Sequence, residues 1–451
     1  MGDIMFKRKA YEFLLDWKNT ADHKPLIIKG LRQTGKTTLV EQFAKENYES
    51  VIMLDFRKEQ SLHSIFEKDF IIDDIMFEIS TKRRGVKIIP HKTIIIMDEI
   101  QDCPDARSSL KYFALDGRYD VICTGSLLGV KGYRKTKKKN RGISVGFEEH
   151  YEMKPMDFEE FLWANGVEEN IIKKLNDYLI NKKQIPNSIH EMMSELFKKY
   201  IIIGGMPEVV KKFVETNDYH KARAIQKRIV NDYNSDFGTH LNDELELEID
   251  PYAKVKIFEI FNSIPRQLAK ENKKFQYSVI AKNAKSREYK DALNWLVDYG
   301  LIVKCYNISN IEIPLEYFAI DDNFKIYIAD SGLFISMLDD DAPGNIMDGN
   351  YNICKGAIFE NIIADSFSKK CRDLYFYQKS SGLEIDFITT LNKKVCLVEV
   401  KAVSGNSKSS STILNNYELY KVDQLVKITS KNIGFIDNKL TIPHYLTFLL
   451  F

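Results

Sequence analysis

The sequence predicts an α/β protein. Its parts are a doubly wound parallel sheet, an all-helical stretch, a three-helix segment with a β ribbon, and a second, smaller α/β domain. Three observations predict this order. Buried-type β runs without polar alternation are joined by helical patterns from about residue 24 to 130, which is the signature of a parallel sheet covered on both faces. The pattern becomes almost wholly helical from 157 to about 250. After a helix, AIFENIIADSFSKK, β runs return in the last hundred residues or so.

A chain of 451 residues, 44% hydrophobic and 29% charged, is too long for one core and implies two or three domains. The net charge of +1 argues against a generally basic nucleic-acid coat, though not against a local basic patch. The amino terminus, MGDIMFKRKAYEFLLDWKNT, breaks its apolar pieces with charge, and no apolar run is long enough to span a bilayer. A cytoplasmic protein without membrane contact is therefore expected. The six cysteines, Cys103, Cys123, Cys305, Cys354, Cys371 and Cys396, show no C-x-x-C spacing and read as reduced core thiols rather than zinc ligands.

The first strand, PLIIKG (25–30), runs into Gly30-Leu31-Arg32-Gln33-Thr34-Gly35-Lys36-Thr37 and then the helical TTLVEQFAKENY. This is G-x-x-x-x-G-K-T in the strand-to-helix context that the phosphate-binding loop requires. The glycines let backbone N–H groups wrap the phosphates of ATP, and the helix amino terminus adds positive charge. Lys36 then reaches the β and γ phosphates while the Thr37 hydroxyl binds Mg²⁺, with Thr38 beside it. SVIMLDF is the next strand, and TIIIMDEI (93–100) places Asp98 and Glu99 at a buried strand's carboxyl end. There Asp98 is expected to hold Mg²⁺ and Glu99 to polarise the attacking water. YDVICTGS (119–126) ends in Ser126, either a γ-phosphate sensor or part of a simple turn.

The basic stretch KGYRKTKKKNRG (131–142) reads as a solvated loop or a phosphate-backbone contact. IGGMPEVV interrupts the following helices with a tight turn. Residues 255–308 give three short helices and a strand, a pattern that suggests a winged helix. Lys282, Lys285, Arg287 and Lys290 decorate it, for DNA or for packing another protein. In the last part, Asp386 of LEIDFI is followed after twelve residues by Glu399-Val400-Lys401. Residues i and i+2 of a strand share a face, so two carboxylates and an ammonium converge. That set suits phosphodiester hydrolysis, with Asp386 and Glu399 on metal, Lys401 orienting the water, and Glu360 on the preceding helix adding a ligand. The four regions are bounded at 1–150, 151–250, 251–345 and 346–451.

Taken in order, GLRQTGKTTL, IIIMDEIQ, ICTGSLLG, PMDFEEFL, GGMPEVV, KIYIADSGL, GAIFENIIA, GLEIDFI and LVEVKA resemble prokaryotic AAA-like P-loop ATPases. These carry a carboxy-terminal domain of unknown function related to PD-(D/E)xK nucleases. The resemblance covers nearly the whole chain. It implies an ATPase core with a helical lid, a winged-helix middle and a restriction-endonuclease-like end. It also implies roles for Lys36, Thr37, Asp98 and Glu99 in ATP turnover and for Glu360, Asp386, Glu399 and Lys401 in the nuclease-like site. Many such proteins carry a basic residue after the glycine that precedes the PMDF segment, whereas here Gly146 is followed by Phe147. An arginine for the γ-phosphate would then come from Arg134, Arg141 or a neighbouring subunit.

Two functions follow as expectations. One is a Mg²⁺-dependent ATPase acting at DNA whose nuclease-like domain is gated by nucleotide. The other is an ATP-regulated DNA- or protein-binding switch that does not cleave. A peptide-remodelling ATPase, which requires a hexameric ring, is a third.

Overall fold

The computed structural model describes residues 6–126, 146–237, 252–271, 273–350, 355–370, 372–403 and 408–451. The chain divides into two compact units. One covers Lys7–Lys154, and the other, in its described part, comprises Phe6 and the described residues from Pro155 to Phe451.

The first unit contains five strands, β1 (Leu26–Lys29), β2 (Ser50–Asp55), β3 (Thr93–Asp98), β4 (Asp120–Gly125) and β5 (Glu149–Glu152). They are parallel and ordered β2-β3-β4-β1-β5. The period-2 geometry of strands sorts the apolar residues between two cores. Ile95 and Met97 of β3 point to one core with α3 (Ile72–Lys82) and α4 (Pro104–Asp116). Ile94 and Ile96 point to the other, with α1 (Lys9–Asn19) and α2 (Lys36–Asn47). A strand buried on both faces needs apolar residues at every position, and β3 has no exposed residue. Strand β5 reads EHYE and is half-exposed, so no hydrophobic pattern announces it. It extends the sheet beyond the boundary at 150 expected from the sequence.

The second unit opens with helices α5 (Phe158–Ala164), α6 (Glu169–Ile180), α7 (Asn187–Ile203), α8 (Pro207–Thr216) and α9 (Tyr219–Asp236). Asp157 and Glu160 of the PMDFEEFL segment form a reciprocal capping box that starts α5. Helices α10 (Ala253–Leu268), α11 (Tyr277–Ile280) and α12 (Ser286–Tyr299) precede β6 (Ile302–Ile308) and β7 (Ala319–Ile328). After α13 (Ser331–Ser336), α14 (Ala342–Met347) and α15 (Lys355–Ser368) come β8 (Leu374–Gln378), β9 (Glu384–Leu391) and β10 (Lys394–Val400). The chain ends through α16 (Lys408–Asn415), α17 (Tyr417–Tyr420), β11 (Gln424–Thr429), β12 (Gly434–Ile436) and β13 (Lys439–Pro443).

The ribbon β6–β7 is not a free wing. Strand β6 pairs antiparallel with β7 on one side and parallel with β8 on the other. One sheet of eight strands, β12-β13-β11-β10-β9-β8-β6-β7, therefore runs across the boundary at 345 and 346 that the sequence suggested. Helix α15 packs on β6, β7, β8 and β10.

Two sequence segments with no obvious chemistry meet as one joint. The backbone N–H of Gly205 donates to Asp330 Oδ2 at 2.6 Å, while Asp330 Oδ1 caps α13 by accepting from Leu333 N at 2.9 Å. Met156 N donates to Gly205 O at 2.7 Å. A Cβ built on Gly205 falls 2.0 Å from Met156 O, a clash with backbone that cannot move aside. Overpacking of this kind costs about 1–3 kcal/mol. Gly205→Ala is therefore expected to lower the unfolding midpoint of the second unit by several degrees, which calorimetry checks. An unchanged thermogram would mean that the joint is loose.

Candidate functional sites: a phosphate-binding loop and a carboxylate cleft

The loop after β1 adopts a path that ordinary residues resist. Gly30 has φ 147°, Gln33 64° and Gly35 86°, left-handed or strained values that glycine takes without penalty. A Cβ on Gly30 would also lie 2.2 Å from Met153 O, so glycine is needed there twice over. Thr34 Oγ1 donates to Leu31 O at 2.9 Å and closes the loop from within. Lys36 opens α2, and its buried ammonium donates to Gly30 O at 2.9 Å and Leu31 O at 2.6 Å. Burial pushes Lys36 down to about 8, against the pull of Glu99 and Asp98. Thr38, next along the helix, is exposed.

Asp98 lies at the carboxyl end of β3 and is buried. It accepts from Thr37 Oγ1 at 3.1 Å and from Thr124 Oγ1 of β4. A hydroxyl beside a carboxylate is an all-oxygen donor set that fits Mg²⁺. Glu99 leaves the strand with φ 52°, an uncommon conformation for a non-glycine residue. Its carboxylate takes a hydrogen bond from the Gln101 amide and lies 3.8 Å from Arg57 Nη2. Ser126 Oγ accepts from Arg32 Nε at 3.3 Å. The structure thus gathers Lys36, Thr37 and Asp98 at one end of the sheet, with Arg32 and Ser126 paired beside the loop. Residues 131–142, with Arg134 and Arg141, lie outside the described residues.

Sequence reading overlooked Arg8. This buried side chain donates to Thr34 O at 2.9 Å and to Lys154 O at 2.8 Å, and so straps the loop to the end of the unit. No motif marks it, because it acts on main-chain carbonyls rather than on a ligand.

The second constellation forms on β9 and β10. Val398 pairs with Phe387 across the antiparallel ladder, which sets Glu399 beside Asp386 one step further on. Asp386 Oδ2 accepts from Val400 N at 2.8 Å. Lys401 Nζ lies 3.5 Å from Asp386 Oδ2 and 3.6 Å from Glu399 Oε2. Burial, with Glu360 nearby, pushes the Asp386 carboxyl up to about 6. Glu399 Oε2 is buried without a hydrogen-bond partner, so Asp386 and Glu399 suit a hard cation. His444 steadies the edge of the site, with its Nε2 3.0 Å from Lys401 O and its ring stacked on Phe359. Burial pushes that imidazole down to about 4, so it is neutral. Asp386 and Lys401 line a cleft of about 420 Å³ together with Lys273, Glu360 and Glu384.

Glu360, expected as a further metal ligand, faces the same cleft but is already engaged. Its Oε1 is ion-paired with Lys273, and its Oε2 accepts from Tyr327 OH at 3.2 Å and lies 3.7 Å from Lys325 Nζ. Among the described residues no group of three or more His, Cys, Asp or Glu is placed to hold a metal. The expected triad of Glu360, Asp386 and Glu399 is therefore not assembled as such, because two lysines absent from the motif take one member. Among the described residues, no helix is long and apolar enough to cross a membrane.

Residues 22–162 match the model of the AAA domain family. That match, over the region that holds the phosphate-binding loop, supports an AAA-like ATPase. Residues 194–344 and 355–445 match two domains of unknown function, DUF8612 and DUF4143. None of the curated proteins matches the chain. Among solved structures, it is similar to the Walker-type ATPase paby2304 of Pyrococcus abyssi. The identity is 15%, the TM-score 0.42, and 74% of this chain and 96% of that one are covered. It is also similar to the Aeropyrum pernix Orc1 protein in complex with DNA, at 12% identity, TM-score 0.30 and coverage of 77% and 94%. Neither likeness adds to the functional argument.

The AAA-like region makes a pH prediction. Phosphate attracts the ammonium form of Lys36, and in the free protein that form is lost as pH rises through about 8. Affinity for ATP is expected to hold below pH 7.5 and then to fall, approaching about tenfold per pH unit at higher pH. Titration of a fluorescent ATP analogue from pH 7 to 9.5 measures this. In Lys36→Met the affinity is weak and flat with pH, and a sloping profile in that variant would place the titration elsewhere.

Proposed function

We propose that this chain is a Mg²⁺-dependent ATPase acting at DNA, in which nucleotide state gates a nuclease-like carboxy-terminal cleft. The ATPase half is carried by one observation, the meeting of the Thr37 hydroxyl with Asp98 beneath a loop whose buried lysine is held by main-chain oxygens. Bound Mg²⁺ would offset charge on the transferring phosphoryl group. Thr37 and Asp98 would hold it, Lys36 would leave the loop carbonyls for the β and γ phosphates, and residues 30–38 would present their N–H groups. Ser126, paired with Arg32 at 3.3 Å, would sense the γ-phosphate. Glu99 would have to release Gln101 and Arg57 to orient water, so its present pairing describes a resting state.

Beyond the phosphate-binding core, the functional regions proposed are a helical lid over 151–250, a winged-helix element over 251–345 whose ribbon is shared with the carboxy-terminal sheet, and a nuclease-like domain over 346–451 that includes that sheet. The winged-helix reading is supported by exposed Lys282, Lys285, Arg287 and Lys290 on and before α12, a basic surface suited to phosphate backbone. For the cleft, Asp386 and Glu399 would hold a cation. Lys401, between them, would orient water and offset developing charge.

A second reading is favoured by a specific observation. Glu360 is paired with Lys273 and Lys325, which suits a cleft that binds without cutting and leaves ATP as a regulatory ligand. One experiment separates the readings. Wild type, Asp386→Asn and Lys36→Ala are incubated with single- and double-stranded DNA in Mg²⁺ or Mn²⁺, with and without ATP. The expected result is cleavage by wild type that Asp386→Asn abolishes while ATP turnover persists. Lys36→Ala is expected to lose ATP turnover by at least about 10²-fold, a cost of about 2.7 kcal/mol. DNA retention without cleavage under every condition would select the binding switch, and ATP turnover surviving in Lys36→Ala would refute the ATPase assignment.

A further inference from the structure

We propose that Lys325 and Lys273 act as built-in cations that neutralise Glu360, so that the cleft takes a single divalent cation, on Asp386 and Glu399, with Glu360 as a positioning residue rather than a ligand. This rests on the metal-binding reading of the cleft given above and narrows it.

The argument begins with Lys325. It lies on β7, in the KIYIADSGL segment to which no chemistry has been attached, and its side chain is 1% exposed. A lysine so buried keeps its proton only among oxygens. Its Nζ is 2.9 Å from Glu384 Oε1 and 3.7 Å from Glu360 Oε2, and it sits 4.7 Å from the centre of the Phe376 ring. These partners hold its ionisation above the ordinary lysine range despite complete burial. Lys273, entering from the segment after α10, takes the other oxygen of Glu360. Both carboxylate oxygens are thus occupied, and Tyr327 OH adds a hydrogen bond to one of them. A metal ion there would have to displace an ammonium from an already neutral site.

The charges divide into two groups. Glu360 and Glu384 face Lys273 and Lys325, two negative against two positive, and need nothing more. Among the described residues the cation within 4 Å of Asp386 and Glu399 is Lys401, at 3.5 and 3.6 Å, with Lys325 acting on Asp386 from further off, which leaves one negative charge uncompensated at contact distance. The uncompensated pair is also where the structure leaves a buried oxygen, Glu399 Oε2, without a hydrogen-bond partner. One divalent cation would reverse that deficit to a single positive charge, which the charge of one phosphodiester would balance.

Metal stoichiometry tests this without requiring catalysis. Mn²⁺ binding to the full chain is followed by electron paramagnetic resonance of the free ion in the absence of nucleotide. The difference between wild type and Asp386→Asn counts the cleft's own equivalents. One equivalent is expected in wild type, weakened at least tenfold in Asp386→Asn and by no more than threefold in Glu360→Gln. Because Glu360→Gln could disturb the fold by stranding Lys325, Lys273→Gln is measured beside it. That change uncovers one oxygen of Glu360 at the rim and is expected to add a second, weaker equivalent. Two equivalents in wild type, or equal losses in Glu360→Gln and Asp386→Asn, would overturn the proposal while leaving a metal-binding cleft in place. No Mn²⁺ dependent on Asp386 would remove the metal-binding reading itself, and the proposal with it.

Discussion

A lysine ammonium withdrawn from water has to be surrounded by oxygen, and both sites of this protein are organised by that requirement. Desolvating an isolated ammonium costs several kcal/mol even after the protein relaxes. At the phosphate-binding loop, the carbonyls of Gly30 and Leu31 supply the oxygen for Lys36. Those carbonyls can turn toward the lysine because the loop contains positive-φ positions. In the cleft, carboxylates do the same for Lys325. The difference matters for function. Neutral carbonyls leave the Lys36 charge unneutralised and available to phosphate, whereas carboxylates cancel the charge of Lys325 and make it structural.

The surrounding fold serves to keep these oxygens in place. Arg8 clamps the carbonyl of Thr34 within the loop, and the close approach of Met153 to Gly30 presses β5 against the same turn. In the second unit, His444 accepts no charge but fixes the carbonyl of Lys401, so the ammonium that follows is aimed by backbone as well as by its acidic partners. Charged side chains at such sites are therefore positioned largely by main chain. Substitutions at Gly30 or Arg8 would disturb the chemistry without removing any reacting group.

Much of this was legible in the sequence where local rules suffice. The P-loop spacing fixes the conformations of Gly30 and Gly35, and the uninterrupted apolar run of β3 can only be a strand buried on both faces. The D-x₁₂-E-x-K spacing gives a hairpin because Asp386 and Glu399 fall opposite one another once two residues turn the chain at Asn392 and Lys393, both at positive φ. What was not legible is non-local. Arg8 binds carbonyls 26 and 146 residues away, and such a contact leaves no pattern. Strand β5 is polar and at a sheet edge, so hydrophobic periodicity is silent there. The pairing of Glu360 with Lys273 and Lys325 spans separate segments, so a motif that names Glu360 as an acid cannot show that its charge is already cancelled.

The continuity of the eight-stranded sheet changes what counts as the cleft. Reading β6 and β7 as the wing of a separate module assigns Lys325 to one domain and Glu360 to another. Hydrogen bonding of β6 to both β7 and β8 makes them neighbours within one sheet. The residues that balance the charge of the cleft are then contributed from both sides of position 345, with Lys273 and Lys325 before it and Glu360 and Glu384 after it. A fragment beginning at 346 would keep the D-x₁₂-E-x-K residues and lose both lysines, leaving Glu360 buried and uncompensated. Its metal binding would differ in kind from that of the intact chain, since a second carboxylate centre would be free to attract a cation. The ribbon before 345 is thus part of the site's electrostatics.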